Sequence, residues 1–185
     1  MSEQILVLNN YVPDDICRKM CELVDESEEQ KGERNFIRGE NLYTMELDVK
    51  TMMSTRNGKQ WREAVIQFKK AVELGYKKWC DKTNTPIDNE DKYLEVPKVH
   101  RYDTTWGKHV SSVFKKNRIL TCFFYLNDVD KSILEMTNTK NNSTFKIKTK
   151  KGMAVIFPAS EEFQYSDNSG KEYLKYALKT HYCKK

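Results

Sequence analysis

The spacing of apolar residues changes partway along this chain, and the change limits the architectures open to it. Between Lys59 and Cys80, the residues Trp61, Ala64, Val65, Phe68, Ala71, Val72, Tyr76 and Trp79 recur at helical spacing, the mark of an amphipathic helix with one core-facing stripe. A shorter version, Ile16, Met20, Leu23 and Val24, predicts a helix over 14–26. Pro13 stands near its start, with Asp14 or Asp15 as its cap. From Val96 the pattern turns to short β-rich runs at Val96–Tyr102, Arg118–Leu126, Thr144–Thr149, Met153–Phe157 and Tyr173–Tyr182. ILVL at 5–8 adds a first strand, and Phe36–Val49 adds one or two more. The stretches 25–35 and 81–92, the one after Asn127–Asp128 and the one between Pro158 and Tyr173 read as polar loops. Helices followed by a run of strands predict an α+β protein, a β-sandwich or barrel flanked by helices on one side. With no internal repeat and no linker rich in Pro, Gly or Ser, the expectation is a single domain over residues 1–185.

Composition removes several function classes. Lys+Arg 32 against Asp+Glu 27 gives a net charge of +5. The lysines are scattered, which reads as a solvated surface rather than the basic stripe of a nucleic-acid binder. No apolar run approaches the roughly 20 residues of a membrane span. The N-terminus MSEQILVLNNYVPDD lacks the basic start and long apolar core of a signal peptide. The five cysteines (17, 21, 80, 122 and 183) include no CxxC and read as reduced, mostly buried thiols of a cytoplasmic protein. No Gly-rich phosphate loop, nucleophile elbow or zinc spacing is present. Only three histidines, His100, His109 and His181, are available for any imidazole-based metal site.

The C-terminal half carries an ordered string: VHRY at 99–102, His109, RILTCFFYLND at 118–128, KKGMAVIFP at 150–158 and KYALKTHY at 175–182. In order and spacing it resembles the Fe(II)- and 2-oxoglutarate-dependent dioxygenases, in their prolyl-4-hydroxylase-like branch, which includes short bacterial and phage forms. The resemblance covers about the last 90 residues in motif detail, and the helices before them also fit. It implies a double-stranded β-helix (jelly roll) core over 93–183, braced by two N-terminal helices within a helical support over 10–80.

The resemblance also implies a site. Such enzymes hold ferrous iron with two His and one carboxylate, leaving positions open for co-substrate and oxygen. A basic residue on the last strand pairs with the far carboxylate of 2-oxoglutarate. Carried over, His109 is the first metal ligand, 18 residues before Asn127. The carboxylate position, two residues on, holds Ser111, and the second-His position holds Tyr165. Lys175, ten residues after Tyr165, matches the co-substrate base, and Tyr102 is the candidate hydroxyl donor to 2-oxoglutarate. Where a Gly-Gly-x-Thr element is expected after LND, this chain has KSILEM at 131–136. On alternation alone, Lys175, Ala177, Lys179 and His181 share one face, which reads as the solvent face; only the resemblance implies that Lys175 is buried around an anion.

A Ser hydroxyl and a protonated Tyr are poor ligands for Fe(II). The departure therefore points to a non-catalytic member of the fold that needs no cofactor and acts as a binding or structural protein with a protein partner. An alternative is an active hydroxylase of a protein or peptide, using Fe(II) and 2-oxoglutarate on a rearranged site. That site would draw on His100, His109 or His181 with Asp103 or Asp167. A basic nucleic-acid-associated protein is a further alternative. The small size and the Lys- and Asn-rich composition fit a phage or viral source, hence host cytoplasm or virion.

Overall fold

The computed structural model describes residues 3–26, 33–37, 40–54, 56–86, 92–102, 111–168 and 174–185, with no side-chain description for 33–49, 51, 102, 111, 112 and 168. In chain order the elements are β1 (Leu6–Leu8), α1 (Asp14–Asp25), β2 (Glu33–Ile37), β3 (Glu40–Asp48), α2 (Val49–Met52), α3 (Gly58–Thr83), β4 (Lys92–Leu94), β5 (Lys98–Tyr102), β6 (Ser111–Ser112), β7 (Arg118–Tyr125), β8 (Ile133–Asn138), β9 (Ser143–Lys148), β10 (Ala154–Pro158), β11 (Phe163–Asn168) and β12 (Lys175–Lys184).

The strands form two sheets. The major sheet runs β1-β10-β7-β12-β5-β3-β2, with β4 added on β12; the minor sheet runs β6-β11-β8-β9. All the described pairings are antiparallel. This is an α+β jelly roll with helices packed on the outer face of the major sheet. The major sheet extends beyond residues 93–183: β1 closes one edge, and the β2–β3 hairpin lies at the other.

Two cores follow from period-two alternation. On β7, Leu120, Cys122 and Phe124 face the helices, whereas Phe123 and Tyr125 face the space between the sheets. On β10, Ala154 and Ile156 take the helix side, and Val155 and Phe157 take the interior. Both faces are buried, which is why these strands read as continuous apolar runs rather than as alternation. The helix-side core is capped by Trp61, Phe68, Val72 and Tyr76 of α3, with Phe68 edge-on to Phe124 at 5.4 Å between ring centroids. α3 ends at Asn84, in the left-handed region at φ 53°, a conformation Asn tolerates better than most residues.

Three expectations need correction. Asp14 and Asp15 do not cap α1: Pro13 holds the cap position with no side-chain hydrogen bond, and both aspartates lie in the first turn. There they still favour the positive helix end, and Asp14 also meets Lys151 at 2.7 Å. Two of the stretches read as polar loops contain β8, whose buried residues alternate with half-buried ones, and β11, where Phe163, Tyr165, Ser166 and Asp167 are all buried. The inward face of β12 is not a solvent face, because the minor sheet covers it: Lys175 is 1% exposed and His181 4%. The loops expected over 25–35 and 81–92 are shorter than that: Asp25 closes α1, β2 begins at Glu33, α3 runs to Thr83 and β4 begins at Lys92, while residues 27–32 and 87–91 lie outside the described residues.

Candidate functional site

The YLND element organises the start of β12. The Asn127 side chain accepts a hydrogen bond from the Tyr176 amide at 2.8 Å and donates one to the Leu174 carbonyl at 2.7 Å. These two residues flank Lys175, so Asn127 fixes the backbone on both sides of it. Asp128 accepts from the Lys151 amide at 2.8 Å and so holds the turn that leads into β10. In that turn Gly152 adopts φ 74° and its carbonyl accepts from the amides of Tyr11 and Val12, at 2.7 and 3.0 Å. The turn thereby ties the N-terminal segment to the sheet.

Lys175 points between the sheets. Its ammonium forms an ion pair with Asp167 Oδ1, and Asp167 is fully buried. The Tyr125 hydroxyl donates to the same carboxylate oxygen at 3.4 Å, and the Lys175 ammonium lies 4.8 Å from the Tyr125 ring centroid. Burial pushes the Lys175 pKa below its ordinary value, and the neighbouring Asp167 carboxylate opposes that shift. Two pleat repeats further along β12, Lys179 donates to the Tyr165 hydroxyl at 3.1 Å. The Tyr165 ring packs against Phe123 at 5.0 Å and Phe157 at 6.5 Å, inside the inter-sheet core.

The backbone brings the expected positions together. Ser111 on β6 and Tyr165 on β11 are direct register partners. Tyr102 on β5 and Lys175 on β12 are register partners in the other sheet. His109 and Asp103 lie outside the described residues. His100 is buried opposite Ala177, and burial lowers its pKa to about 3. His181 exchanges a hydrogen bond with the Thr121 hydroxyl at 3.0 Å and lies 3.8 Å from Glu95; burial and then Arg118 lower its pKa to about 2. Both imidazoles are therefore neutral at pH 7.

The fit to an iron and a 2-oxo acid can be tested on these contacts. Tyr165 offers a phenol already bonded to Lys179, and Lys175 already holds a carboxylate. Among the described residues, no group of three or more His, Cys, Asp or Glu is placed to hold a metal ion. The described side chains at these positions are thus a phenol and a lysine, each already engaged by a neighbouring side chain. The cavities of about 650 and 260 Å3 beside α3 include none of these residues in their walls. All five thiols are free, and burial pushes Cys17 up to about 11 and Cys21 up to about 12, which makes them poor nucleophiles.

The sequence reading placed Asp167 only among possible metal ligands and gave Lys179 no role. The signal that could have found both was the alternation of Phe163, Tyr165 and Asp167, which marks a strand facing the lysines of β12.

No family model matches the chain, and no curated protein matches it in sequence. Solved structures do match. A prolyl hydroxylase from Trichoplax adhaerens, in complex with a hypoxia inducible factor oxygen degradation domain peptide fragment, superposes with a TM-score of 0.68. The identity is 13%, over 99% of this chain and 84% of that one. A Pseudomonas putida prolyl-4-hydroxylase matches with a TM-score of 0.59 and 15% identity, over 98% and 93%. The viral collagen prolyl hydroxylase of Paramecium Bursaria Chlorella virus-1, in its 2OG complex, matches with a TM-score of 0.59 and 14% identity, over 97% and 95%. The chain has the jelly-roll fold of the 2-oxoglutarate-dependent dioxygenases.

Proposed function

We propose that this chain is a catalytically degenerate protein of the dioxygenase fold, retained as a binding or structural module with a protein partner. The observation that carries this reading is the fate of the second-ligand position. Tyr165 stands there as a core aromatic whose hydroxyl is bonded to Lys179, opposite Ser111 in register. An iron ligand needs a basic lone pair aimed into an open site, and a phenol accepting a hydrogen bond inside an aromatic cluster supplies none. A protein or peptide partner agrees with the Trichoplax neighbour, whose structure contains a bound peptide fragment. The Lys- and Asn-rich composition and the small size support a phage or viral source, which would place the protein in host cytoplasm or in a virion.

The test is direct. The protein is mixed anaerobically with Fe(II) and 2-oxoglutarate and scanned for a visible charge-transfer band, then exposed to oxygen and assayed for succinate. The expected result is no band and no succinate above a protein-free control. A band that depends on both additions, or stoichiometric succinate, would overturn the reading in favour of an active hydroxylase.

A further inference from the structure

β11 and β12 belong to different sheets, and they meet across the interior through two lysines. Tyr165 and Asp167 alternate on β11; Lys175 and Lys179 stand four apart on β12. Each lysine is held by one oxygen of β11: Lys175 by Asp167 Oδ1, and Lys179 by the Tyr165 hydroxyl. Lys175 is 1% exposed and Asp167 is not exposed at all. Among the described residues, the second oxygen of Asp167, Oδ2, is buried without a hydrogen-bond partner. Lys175 and the Tyr125 hydroxyl thus meet one oxygen of the carboxylate, and no donor of the described residues meets the other. A second anion arriving at Lys175 would strand Asp167 as a buried charge, which is strongly unfavourable. A carboxylate fixed on a paired strand is also pre-oriented, so it competes at an effective concentration far above that of a free metabolite.

We propose that Asp167 is an internal counter-anion occupying the carboxylate-binding position at Lys175. The native chain thereby excludes small dicarboxylates such as 2-oxoglutarate and succinate, and removal of this one carboxylate opens a site for them. The inference rests on the degenerate reading given above and deepens it: the co-substrate's charge has been replaced by a side chain, as well as the iron ligands being lost.

The experiment uses the full chain without metal. Calorimetric titration and thermal unfolding are run with 2-oxoglutarate and succinate, with acetate as a monocarboxylate control. The native protein is expected to show no saturable binding and no change in Tm at millimolar dicarboxylate. Asp167→Ala is expected to bind dicarboxylates on the order of 100-fold more tightly than the native chain and to gain Tm with them. Lys175→Met in that background is expected to abolish the gain. If Asp167→Ala folds poorly, Asp167→Asn keeps the side-chain volume, and the readout is recovery of its Tm by the dicarboxylate. Lys175-dependent binding of a dicarboxylate to the native chain overturns the inference. So does failure of dicarboxylate to bind or raise the Tm of either variant. Native protein that binds a dicarboxylate without consuming it overturns this inference alone; native protein that releases succinate from 2-oxoglutarate overturns the proposed function as well.

Discussion

Removing either partner of the Lys175–Asp167 pair should cost far more than removing both. The two side chains are 1% and 0% exposed, so no solvent screening discounts their interaction. In Lys175→Met the remaining carboxylate is left in a dry interior. It can escape its charge by taking up a proton, and keeping an ordinary carboxyl protonated at pH 7 costs about 4 kcal/mol. In Asp167→Leu the remaining ammonium can lose its proton, at about 5 kcal/mol on the same arithmetic. Both figures agree with the roughly 3–5 kcal/mol typical of breaking a buried pair. For a chain of this size, about 2–4 °C of Tm accompanies each kcal/mol, so each single variant should melt roughly 6–20 °C lower. The double variant Lys175→Met/Asp167→Leu removes both charges and the unpartnered Oδ2 together. It should return to within about 1 kcal/mol of native stability or exceed it. Urea unfolding of the four proteins, followed by circular dichroism, closes the cycle. The deficit of Lys175→Met relative to native should also shrink as pH falls from 7 to 5, because the lone carboxylate becomes easier to protonate. Single variants that each cost under about 1 kcal/mol would falsify the dry-interior reasoning, since that is the behaviour of an exposed pair. A double variant as unstable as the sum of the singles would refute it equally.

Other perturbations test other parts of the fold. Phe68→Ala removes a ring that is 1% exposed and edge-on to Phe124, and should cost about 3–5 kcal/mol by urea unfolding. Gly152→Ala should destabilise by over about 1 kcal/mol, because the residue sits at φ 74° and an added Cβ would lie 2.8 Å from the Val12 carbonyl oxygen; the same series of melts will show it. His100 and His181 have folded pKa values lowered to about 3 and about 2 from an ordinary 6.5. The unfolded chain therefore binds more protons than the native one below pH 6.5, and stability should be full above that pH and fall as pH drops toward 4. Calorimetric melts across that range should show up to two protons taken up on unfolding, and a flat profile between pH 7 and pH 4 would contradict the burial of these rings.

Legibility in the sequence followed burial on two faces or one. β7 and β10 were plain because both of their faces are apolar, one against α3 and one against the minor sheet. α3 was plain because a long stripe repeats at helical spacing over many turns. β8 and β11 were missed because polar side chains stand between the apolar ones along both strands. Sequences such as ILEMTN and FQYSDN alternate apolar or buried residues with polar ones and resemble loops when read one residue at a time. The cost fell on the site, since β11 carries both Tyr165 and Asp167. Lys175 shows the opposite case. Its alternation suggested solvent, and the family resemblance suggested burial; the ring of Tyr125 and the carboxylate of Asp167 enclose it. Neither reading identified its partner, because the pairing crosses between sheets and leaves no spacing signal along the chain.

The position of β12 has a consequence for how this protein reaches its native state. β12 follows the other described strands in sequence, yet it lies in the middle of the major sheet, bonded to β7 on one side and to β5 and β4 on the other. Until residues 175–184 are in place, β10–β7 and β5–β3 are separate ribbons with open edges along their central seam. Completing the sheet needs this insertion, which joins parts of the chain far apart in sequence, and such non-local pairing makes for slow acquisition of structure. During that interval the unpaired edge of β7, RILTCFFY, is the segment most exposed to wrong strand pairing. Chaperone dependence and aggregation on expression should track changes within β12 more closely than changes anywhere on the helices.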